Sequence, residues 1–143
     1  MSDLVKQFEG FSAIAYKCPA GVWTIGYGTT RYPDGVRVKA SDPECTKNQA
    51  ERWLMYEVLR CELIALKYCK PLLTENQRKA LASFIYNVGA GAFKASTLRK
   101  RINDLNFEDV PRQFRRWNIA GGRILPGLIR RREAEIALWL KDD

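Results

Sequence analysis

Apolar and polar positions repeat with helical spacing over most of the chain. The opening stretch, "SDLVKQFEG", places its apolar residues on one face, which predicts a short helix that Ser2 or Asp3 caps and Gly10 ends. Between residues 14 and 38, aromatic and β-branched residues alternate with polar ones, and "PAG" and "YPDG" interrupt them. This second pattern predicts a small antiparallel sheet of two or three short strands.

The remainder of the chain predicts helices. From Thr46, apolar residues recur at three-, four- and seven-residue steps for more than twenty residues, until Pro71 stops the helix. "TENQ" from Thr74 is a capping box that opens another helix. Further helices are predicted after Ser96, over Phe107–Trp117 and from near Pro126. The predicted fold class is therefore α+β: a small N-terminal antiparallel sheet and a helical C-terminal lobe joined by a long helix.

The length of the chain limits its organisation. Its 143 residues suffice for one domain with its own core, and no internal repeat or long linker divides them. No charged segment followed by an apolar one resembles a signal peptide, and no apolar run reaches membrane length. We therefore expect a single domain, made in the cytoplasm, without stable membrane insertion.

The net charge of +8 predicts an anionic partner. Residues 94–143 carry twelve Lys or Arg against seven Asp or Glu, so the excess is concentrated towards the C-terminal end. Nucleic acid, an anionic membrane surface and an acidic polymer such as bacterial cell wall all fit this charge. The alternative is that the basic residues only keep the surface soluble.

The absence of histidine excludes several kinds of chemistry. Ser-His-Asp and Cys-His catalysis and HExxH zinc sites are impossible here. The four cysteines form no CxxC pair, and on one helix Cys61 and Cys69 would be about 12 Å apart, too far for a disulfide. We expect four reduced thiols and no metal or cofactor.

Glu9 is a candidate general acid because it ends the first predicted helix. The helix dipole there disfavours a negative charge, and neighbouring aromatic side chains reduce solvation; both effects favour the protonated carboxyl. Taken alone, such a glutamate is more often a solvated surface residue. The nearby "GYG" lacks the third glycine and the following helix of a phosphate-binding loop, so its glycines indicate a close approach of the backbone to a ligand or a neighbouring strand.

The segment "EGFSAIAYKCPAGVWTIGYGTT" resembles the catalytic segment of the phage-type lysozymes, the endolysins of glycoside hydrolase family 24. It has Glu9, then Cys18 nine residues later and Thr24 six after that, in the order of the family's Glu–Asp/Cys–Thr signature. The resemblance continues through "LTENQRKALASFIYNVGAGAF", "STLRKRIN" and "GLIRRREAE", and so covers nearly the whole chain.

The resemblance implies a lysozyme-like fold, with two lobes flanking a substrate cleft, and a muramidase activity. The enzyme would hydrolyse the β-1,4 bond from N-acetylmuramic acid to N-acetylglucosamine in peptidoglycan. Glu9 would protonate the leaving oxygen, and Cys18 and Thr24 would position the attacking water. Cys18 departs from the commoner aspartate; a thiol with an ordinary pKa near 8.5 is mostly neutral at pH 7. The alternative is that Cys18 is a packing residue.

Further residues would line the saccharide groove by the same resemblance: Thr30, Tyr86, Asn87, Ser96 and Gln113. Ser96 could instead act as an N-cap, and Tyr86 could belong to the core. For the cluster Arg130–Arg132 we expect one side chain to face the cleft and the others to point outward.

The resemblance also implies where and with what the protein acts. Its partner would be the glycan strands of peptidoglycan rather than nucleic acid, and it would work as a monomer. It would stay in the host cytoplasm until lysis and then attack the wall from the periplasmic side. Two alternatives remain: a basic module that binds nucleic acid or membrane through "RQFRRW" and "GLIRRREAEIALWLK", and an inactive relative that only binds wall.

Overall fold

The computed structural model describes residues 3–142, which are mostly helical and carry two small antiparallel sheets. This confirms the predicted α+β class. The chain divides into two compact units, one up to Val58 and one from Leu59 onward. That the whole chain works as a single domain stays a prediction.

The first unit holds a helix, a hairpin and the start of the long helix. Its elements are α1 (Asp3–Glu9), β1 (Ser12–Lys17), β2 (Trp23–Gly26) and the first half of α2 (Lys47–Tyr68). The strands are antiparallel, and Tyr16 lies directly opposite Thr24. Of the two predicted caps of α1, Ser2 lies outside the described residues.

The predicted sheet over residues 14–38 is shorter than expected. Only the β1–β2 hairpin is regular; beyond it, isolated bridges join Ile25 to Thr29 and Arg31 to Arg37. Turns take up the rest, because Gly28 and Gly35 adopt φ values of +79° and +90°, which end a strand readily.

Helix α2 begins and ends where its sequence predicts. Thr46 and Gln49 exchange two side-chain hydrogen bonds with each other's backbone N–H, of 2.9 and 3.1 Å, and so cap the first turn. One face of the helix is buried at a helical spacing, through Ala50, Leu54, Val58, Cys61 and Ala65.

The second unit contains five further helices and a very short hairpin in its described part. These elements are α3 (Glu75–Val88), α4 (Ala90–Ala95), α5 (Thr97–Asn103), α6 (Val110–Arg115), β3 (Ile119–Ala120), β4 (Arg123–Ile124) and α7 (Pro126–Leu140). The capping box at Thr74 and the N-cap at Ser96 are both present. The aromatic ring of Phe84 packs edge-on against Phe93, Phe114 and Trp117 in the core.

Three features of this unit differ from the prediction. The chain resumes a helix, α4, directly after Gly89, whose φ of +93° only interrupts the helical path. The helix predicted over Phe107–Trp117 is split into a 3-10 turn (Phe107–Asp109) and α6. The β3–β4 hairpin was not predicted. Within residues 3–142, no helix is both long enough and apolar enough to cross a membrane.

Candidate active site

Glu9 ends α1 and packs against the turn that follows β2. A Cβ atom built at Gly28 would overlap the Glu9 carboxylate oxygen and would lie 2.9 Å from the Glu9 carboxyl carbon. Gly28 has no side chain, so the carboxyl group can lie against the backbone at this position. The second glycine of "GYG" therefore marks a close approach, but to the Glu9 side chain at the end of α1 and not to a ligand or a neighbouring strand.

Cys18 lies in the turn between β1 and β2, and this turn surrounds its sulfur with donors. The chain reverses through hydrogen bonds from the Cys18 N–H to the Val22 carbonyl (3.0 Å) and from the Gly21 N–H to the Cys18 carbonyl (2.8 Å). A hydrogen bond from the Val22 N–H lowers the pKa of the Cys18 thiol; partial burial opposes it, and the Ala20 N–H and the Thr24 hydroxyl reinforce it.

Thr24 is buried beside this turn. Its side chain is 3% exposed, and its hydroxyl donates to the Val22 carbonyl at 2.9 Å. The structure therefore brings Thr24 and Cys18 together around Val22.

Tyr16 interacts electrostatically with both Glu9 and Cys18. Burial raises the pKa of Tyr16, and the negative charges of Glu9 and Cys18 raise it further. Because Tyr16 lies opposite Thr24 in the hairpin, the two side chains share one face. Tyr16 was expected only as one of the aromatic side chains near Glu9, although its position two residues before Cys18 was a usable signal.

The other cysteines have different surroundings from Cys18. All four thiols are free. Cys45, Cys61 and Cys69 are buried; burial raises the pKa of Cys45, and it raises the pKa of Cys69 to about 11. The surroundings of Cys18 thus favour the thiolate, whereas those of Cys45 and Cys69 favour the thiol.

The predicted saccharide contacts fall in both units. Thr30 is exposed in the first unit, and its carbonyl accepts from the Val38 N–H at 3.0 Å. In the second unit, Tyr86 is half-buried and Asn87 is exposed, both in the last turn of α3.

Ser96 and Gln113 come together at one cavity of about 290 Å³ within the second unit. Arg116 and Trp117, which the sequence analysis did not single out, also line it. The cavity thus combines a hydroxyl, an amide, a guanidinium and an indole, which are groups that bind sugars and their anionic substituents.

Both predicted side chains at this cavity also have structural partners. The Ser96 hydroxyl donates to the Phe93 carbonyl at 2.7 Å and accepts from the Arg99 N–H at 3.1 Å, so it is an N-cap as well. Gln113 is 2% exposed; its amide donates to Asp109 at 2.9 Å and accepts from Arg116 at 3.1 Å. Gln113 therefore holds Arg116 in position at the cavity wall.

The expectation for the arginine cluster is wrong for two of its three members. Arg130 is exposed, but Arg131 and Arg132 are 3% and 1% exposed inside the second unit. Arg131 Nε lies 3.6 Å from the carboxylate of fully buried Glu135, and Arg132 Nη2 donates to that carboxylate at 3.1 Å. Glu135 also accepts from Ser83 at 2.6 Å.

These contacts make the cluster part of the core. A second Arg132–Glu135 contact, Nε to Oε1, is short at 2.7 Å but is not aligned as a hydrogen bond, so we count it as an ion-pair contact only. Two of the arginines that the nucleic-acid alternative relies on are consequently inaccessible.

No group of three Cys, Asp or Glu side chains within residues 3–142 is arranged to hold a metal ion. The chemistry available at Glu9, Cys18 and Thr24 is that of a carboxyl, a thiol and a hydroxyl. A carboxyl, a thiol and a hydroxyl in one unit are groups with which a glycosidase can protonate a leaving oxygen and orient a water.

Comparison with known proteins agrees with that class. The model of the family described as "Phage lysozyme" matches residues 6–135, and the chain belongs to this family. An endolysin of Acyrthosiphon pisum secondary endosymbiont phage 1 is 38% identical over 95% of this chain and 92% of its own length. The SAR-endolysin of Enterobacteria phage PA-2 is also 38% identical, over 92% of this chain and 78% of its own length. The endolysin of Bacillus phage PZA is likewise 38% identical, but this chain spans only about half of it, 52% of its length.

Solved structures show the same relationship. An endolysin from Escherichia coli O157:H7 phage FAHEc1 superposes with a TM-score of 0.85 and 36% identity, covering 98% of this chain and 90% of that one. The muramidase domain of SpmX from Asticaccaulis excentricus has a TM-score of 0.79 and 31% identity, covering 99% and 95%. The fold is lysozyme-like, and the protein is a lysozyme-type glycosidase with an endolysin function.

Proposed function

We propose that this enzyme cleaves the β-1,4 bond from N-acetylmuramic acid to N-acetylglucosamine in peptidoglycan, with Glu9 as general acid. The observation that carries the proposal is the Cys18 turn, where N–H groups and the Thr24 hydroxyl surround a thiol in the same unit as Glu9. The place of action would be the cell wall, on the periplasmic side of the inner membrane.

Glu9 would protonate the glycosidic oxygen as the bond breaks. A general acid must be held in one geometry to contribute about 10²–10⁴-fold to a rate. The contact with Gly28 limits where the carboxyl can lie. Tyr16, whose pKa the negative charge of Glu9 helps to raise, would interact with the carboxyl electrostatically without touching the reacting atoms.

Cys18 and Thr24 would hold the water that attacks the sugar. In an oxocarbenium-like transition state, an oriented water needs little help from a base. A thiol with a lowered pKa is ionised more often at a given pH than an ordinary one, so it can accept a hydrogen bond from that water more strongly. Thr24 would supply a second polar contact.

The saccharide contacts would come from Thr30, Tyr86, Asn87, Ser96 and Gln113. Support is strongest for Ser96 and Gln113, because they share a cavity with Arg116 and Trp117. An indole suits the apolar face of a sugar ring, and a guanidinium suits the carboxylate of a muramic acid or of its peptide.

The test of the proposal is Glu9→Gln, which keeps the shape of the side chain and removes the transferable proton. Release of reducing ends from purified peptidoglycan should fall by about 10²-fold or more, while thermal unfolding stays unchanged. Glu44→Gln, at an exposed glutamate of the same unit, is the matched control and should keep the parent rate. A folded Glu9→Gln protein with the parent rate would disprove the mechanism.

Substitutions of Cys18 test the water-side role. Cys18→Asp should keep substantial activity, and the activity of Cys18→Ala should fall clearly below that of both the parent and Cys18→Asp. Cys18→Ser separates the orientation of water from the basicity of sulfur. If Cys18 were a covalent nucleophile, the first-formed product would retain its anomeric configuration, which NMR detects. Wall binding in a sedimentation assay without product formation would instead identify an inactive wall-binding relative.

A further inference from the structure

Three cationic side chains converge on the ring of Tyr68, although the proposed catalysis uses none of them. Lys67 Nζ lies 5.4 Å from the ring centroid, Lys94 Nζ lies 4.8 Å from it, and the guanidinium carbon of Arg99 lies 5.2 Å from it. The three residues belong to three helices, α2, α4 and α5, and all lie within the second unit. We call these three cations and Tyr68 the Tyr68 cluster; its members do not line the cavity that holds Ser96.

The positive charges of the Tyr68 cluster repel one another. Because all three lie within 5.4 Å of one ring centroid, no two are more than about 11 Å apart, which is close to the screening length of about 10 Å at 0.1 M salt. Attraction between the cations and the face of the ring offsets part of this repulsion. A bound anion would offset more of it.

Acidic residues that are near the cluster in sequence do not neutralise it. Glu62, on α2, lies 3.7 Å from Arg78. Asp104, the C-cap of α5, is exposed. Within residues 3–142, no carboxylate lies within ion-pair distance of any of the three cations. The cluster therefore carries three positive charges that no carboxylate of this part of the chain contacts.

Arg99 is held in place at the end of α2. Its Nε donates to the Tyr68 carbonyl at 2.7 Å, and its Nη1 donates to the Lys94 carbonyl at 3.0 Å. Asn103 donates to the same Tyr68 carbonyl at 3.0 Å and accepts from the Lys70 N–H at 2.7 Å, so α5 caps this helix end. Arg99 Nη2 has no acceptor among the residues that the structure describes, so it can donate to a ligand.

Capping of α2 explains the position of Arg99 but not the positions of the two lysines. Lys67 and Lys94 are both exposed, yet their ammonium groups lie over the same ring. Hydrogen bonding to Lys94 lowers the pKa of the Tyr68 hydroxyl; desolvation opposes this effect, and the charge of Lys67 lowers the pKa further. Both ammonium groups are therefore close to the hydroxyl end of the ring.

From this arrangement we propose that Lys67, Lys94 and Arg99 bind a phosphate monoester group. Three cations on three different helices match the three unbridged oxygens and the nearly two negative charges of such a group. A carboxylate has only two oxygens in one plane, which suits a single guanidinium better than three separate cations. The Tyr68 hydroxyl supplies a further donor beside the two lysines.

The proposal is tested by titrating inorganic phosphate into the isotope-labelled full chain, near neutral pH and at constant ionic strength maintained with chloride. In NMR spectra, the Nε–H signal of Arg99 and the backbone N–H signals of Tyr68 and Lys94 should shift and reach saturation. Acetate at the same ionic strength should shift these signals much less, because it offers one charge and two oxygens.

Variants of the exposed lysines test which cations bind. Lys94→Gln and Lys67→Gln should each raise the Kd for phosphate by about 5-fold, since each removes one cation from the site. Lys100→Gln is the matched control: it removes the same charge from an exposed lysine of α5 that is not one of the cations over Tyr68, and it should keep the parent Kd. All three proteins should unfold at the parent temperature.

Two further probes identify the source of the phosphate group: glycerol phosphate, and phosphatidylcholine vesicles with and without phosphatidic acid. Binding of glycerol phosphate that Lys94→Gln weakens, without binding to the vesicles, would assign the site to soluble phosphate esters. Binding to the vesicles that requires phosphatidic acid and that Lys94→Gln weakens would assign it to lipid headgroups.

Three results would overturn the inference. The first is the absence of a saturable shift with phosphate. The second is an equal response to acetate, which would make the cluster an unselective positive patch. The third is an equal loss of phosphate affinity in Lys100→Gln and Lys94→Gln, which would mean that net charge alone attracts the anion. None of these depends on whether Glu9 is the general acid, because no measurement uses peptidoglycan.

Discussion

Replacing Gly28 by alanine should disable the enzyme without unfolding it. The new Cβ would lie 2.9 Å from the Glu9 carboxyl carbon, whereas ordinary contacts begin at 3.4 Å, so that carbon has to retreat by at least about 0.5 Å. The carboxyl is the far end of a flexible side chain and can move at little cost in stability. A misplacement approaching 1 Å can nevertheless cost on the order of 10²-fold in rate.

The matched control is Gly35→Ala in the same unit. Gly28 and Gly35 both have positive φ, +79° and +90°, but a Cβ at Gly35 would meet nothing within 4 Å. Both variants should lose about 1–2 kcal/mol of unfolding free energy from backbone strain, measured by urea denaturation. Only Gly28→Ala should release reducing ends from peptidoglycan more slowly than the parent. The loss should lie in the turnover number more than in KM.

Two results would refute the reasoning about Gly28. If Gly28→Ala keeps the parent turnover, the position of the Glu9 carboxyl does not matter for the reaction. If Gly35→Ala loses as much activity as Gly28→Ala, backbone strain and not displacement of Glu9 explains the effect.

Two more predictions concern the thiol and the buried charges. Near neutral pH, iodoacetamide should modify Cys18 first and leave Cys69 unmodified in the folded protein. The reason is that the pKa of Cys18 is lowered, while that of Cys69 is raised to about 11. Peptide mass mapping that finds equal modification rates for the two cysteines would contradict this. Glu135→Gln should lower the free energy of unfolding by about 3–5 kcal/mol, because Arg131 and Arg132 then stay buried without a counter-ion. If the unfolding free energy from urea denaturation falls by less than about 1 kcal/mol, the contacts of Glu135 with Arg131 and Arg132 are not structurally important.

Features set by neighbours in sequence could be predicted. The capping box at Thr74 and the N-cap at Ser96 depend on residues three positions apart, so their signals are local. The hairpin of β3 and β4 also had such a signal, since Gly121 and Gly122 adopt the positive φ values of a tight two-residue turn.

Features that depend on tertiary contacts could not be predicted in the same way. Nothing near Gly28 in the sequence says that the Glu9 side chain will lie against it. Arginines on a helix are normally solvated, so one of Arg130–Arg132 was expected to face the cleft and the others to point outward. Glu135 follows Arg131 by four residues and Arg132 by three. This spacing was the available sign that one carboxylate could pair with both arginines.

Cys18 and Thr24 share the turn around Val22. The Thr24 hydroxyl has a single hydrogen, which it gives to the Val22 carbonyl at 2.9 Å, yet the same hydroxyl also lowers the pKa of Cys18. One hydrogen serves one acceptor at a time, so donation to the Cys18 sulfur would require the hydroxyl to turn away from the Val22 carbonyl. Backbone hydrogen bonds from Val22 and Ala20 also lower the pKa of the Cys18 thiol. The turn therefore favours the thiolate of Cys18 through its backbone as well as through Thr24.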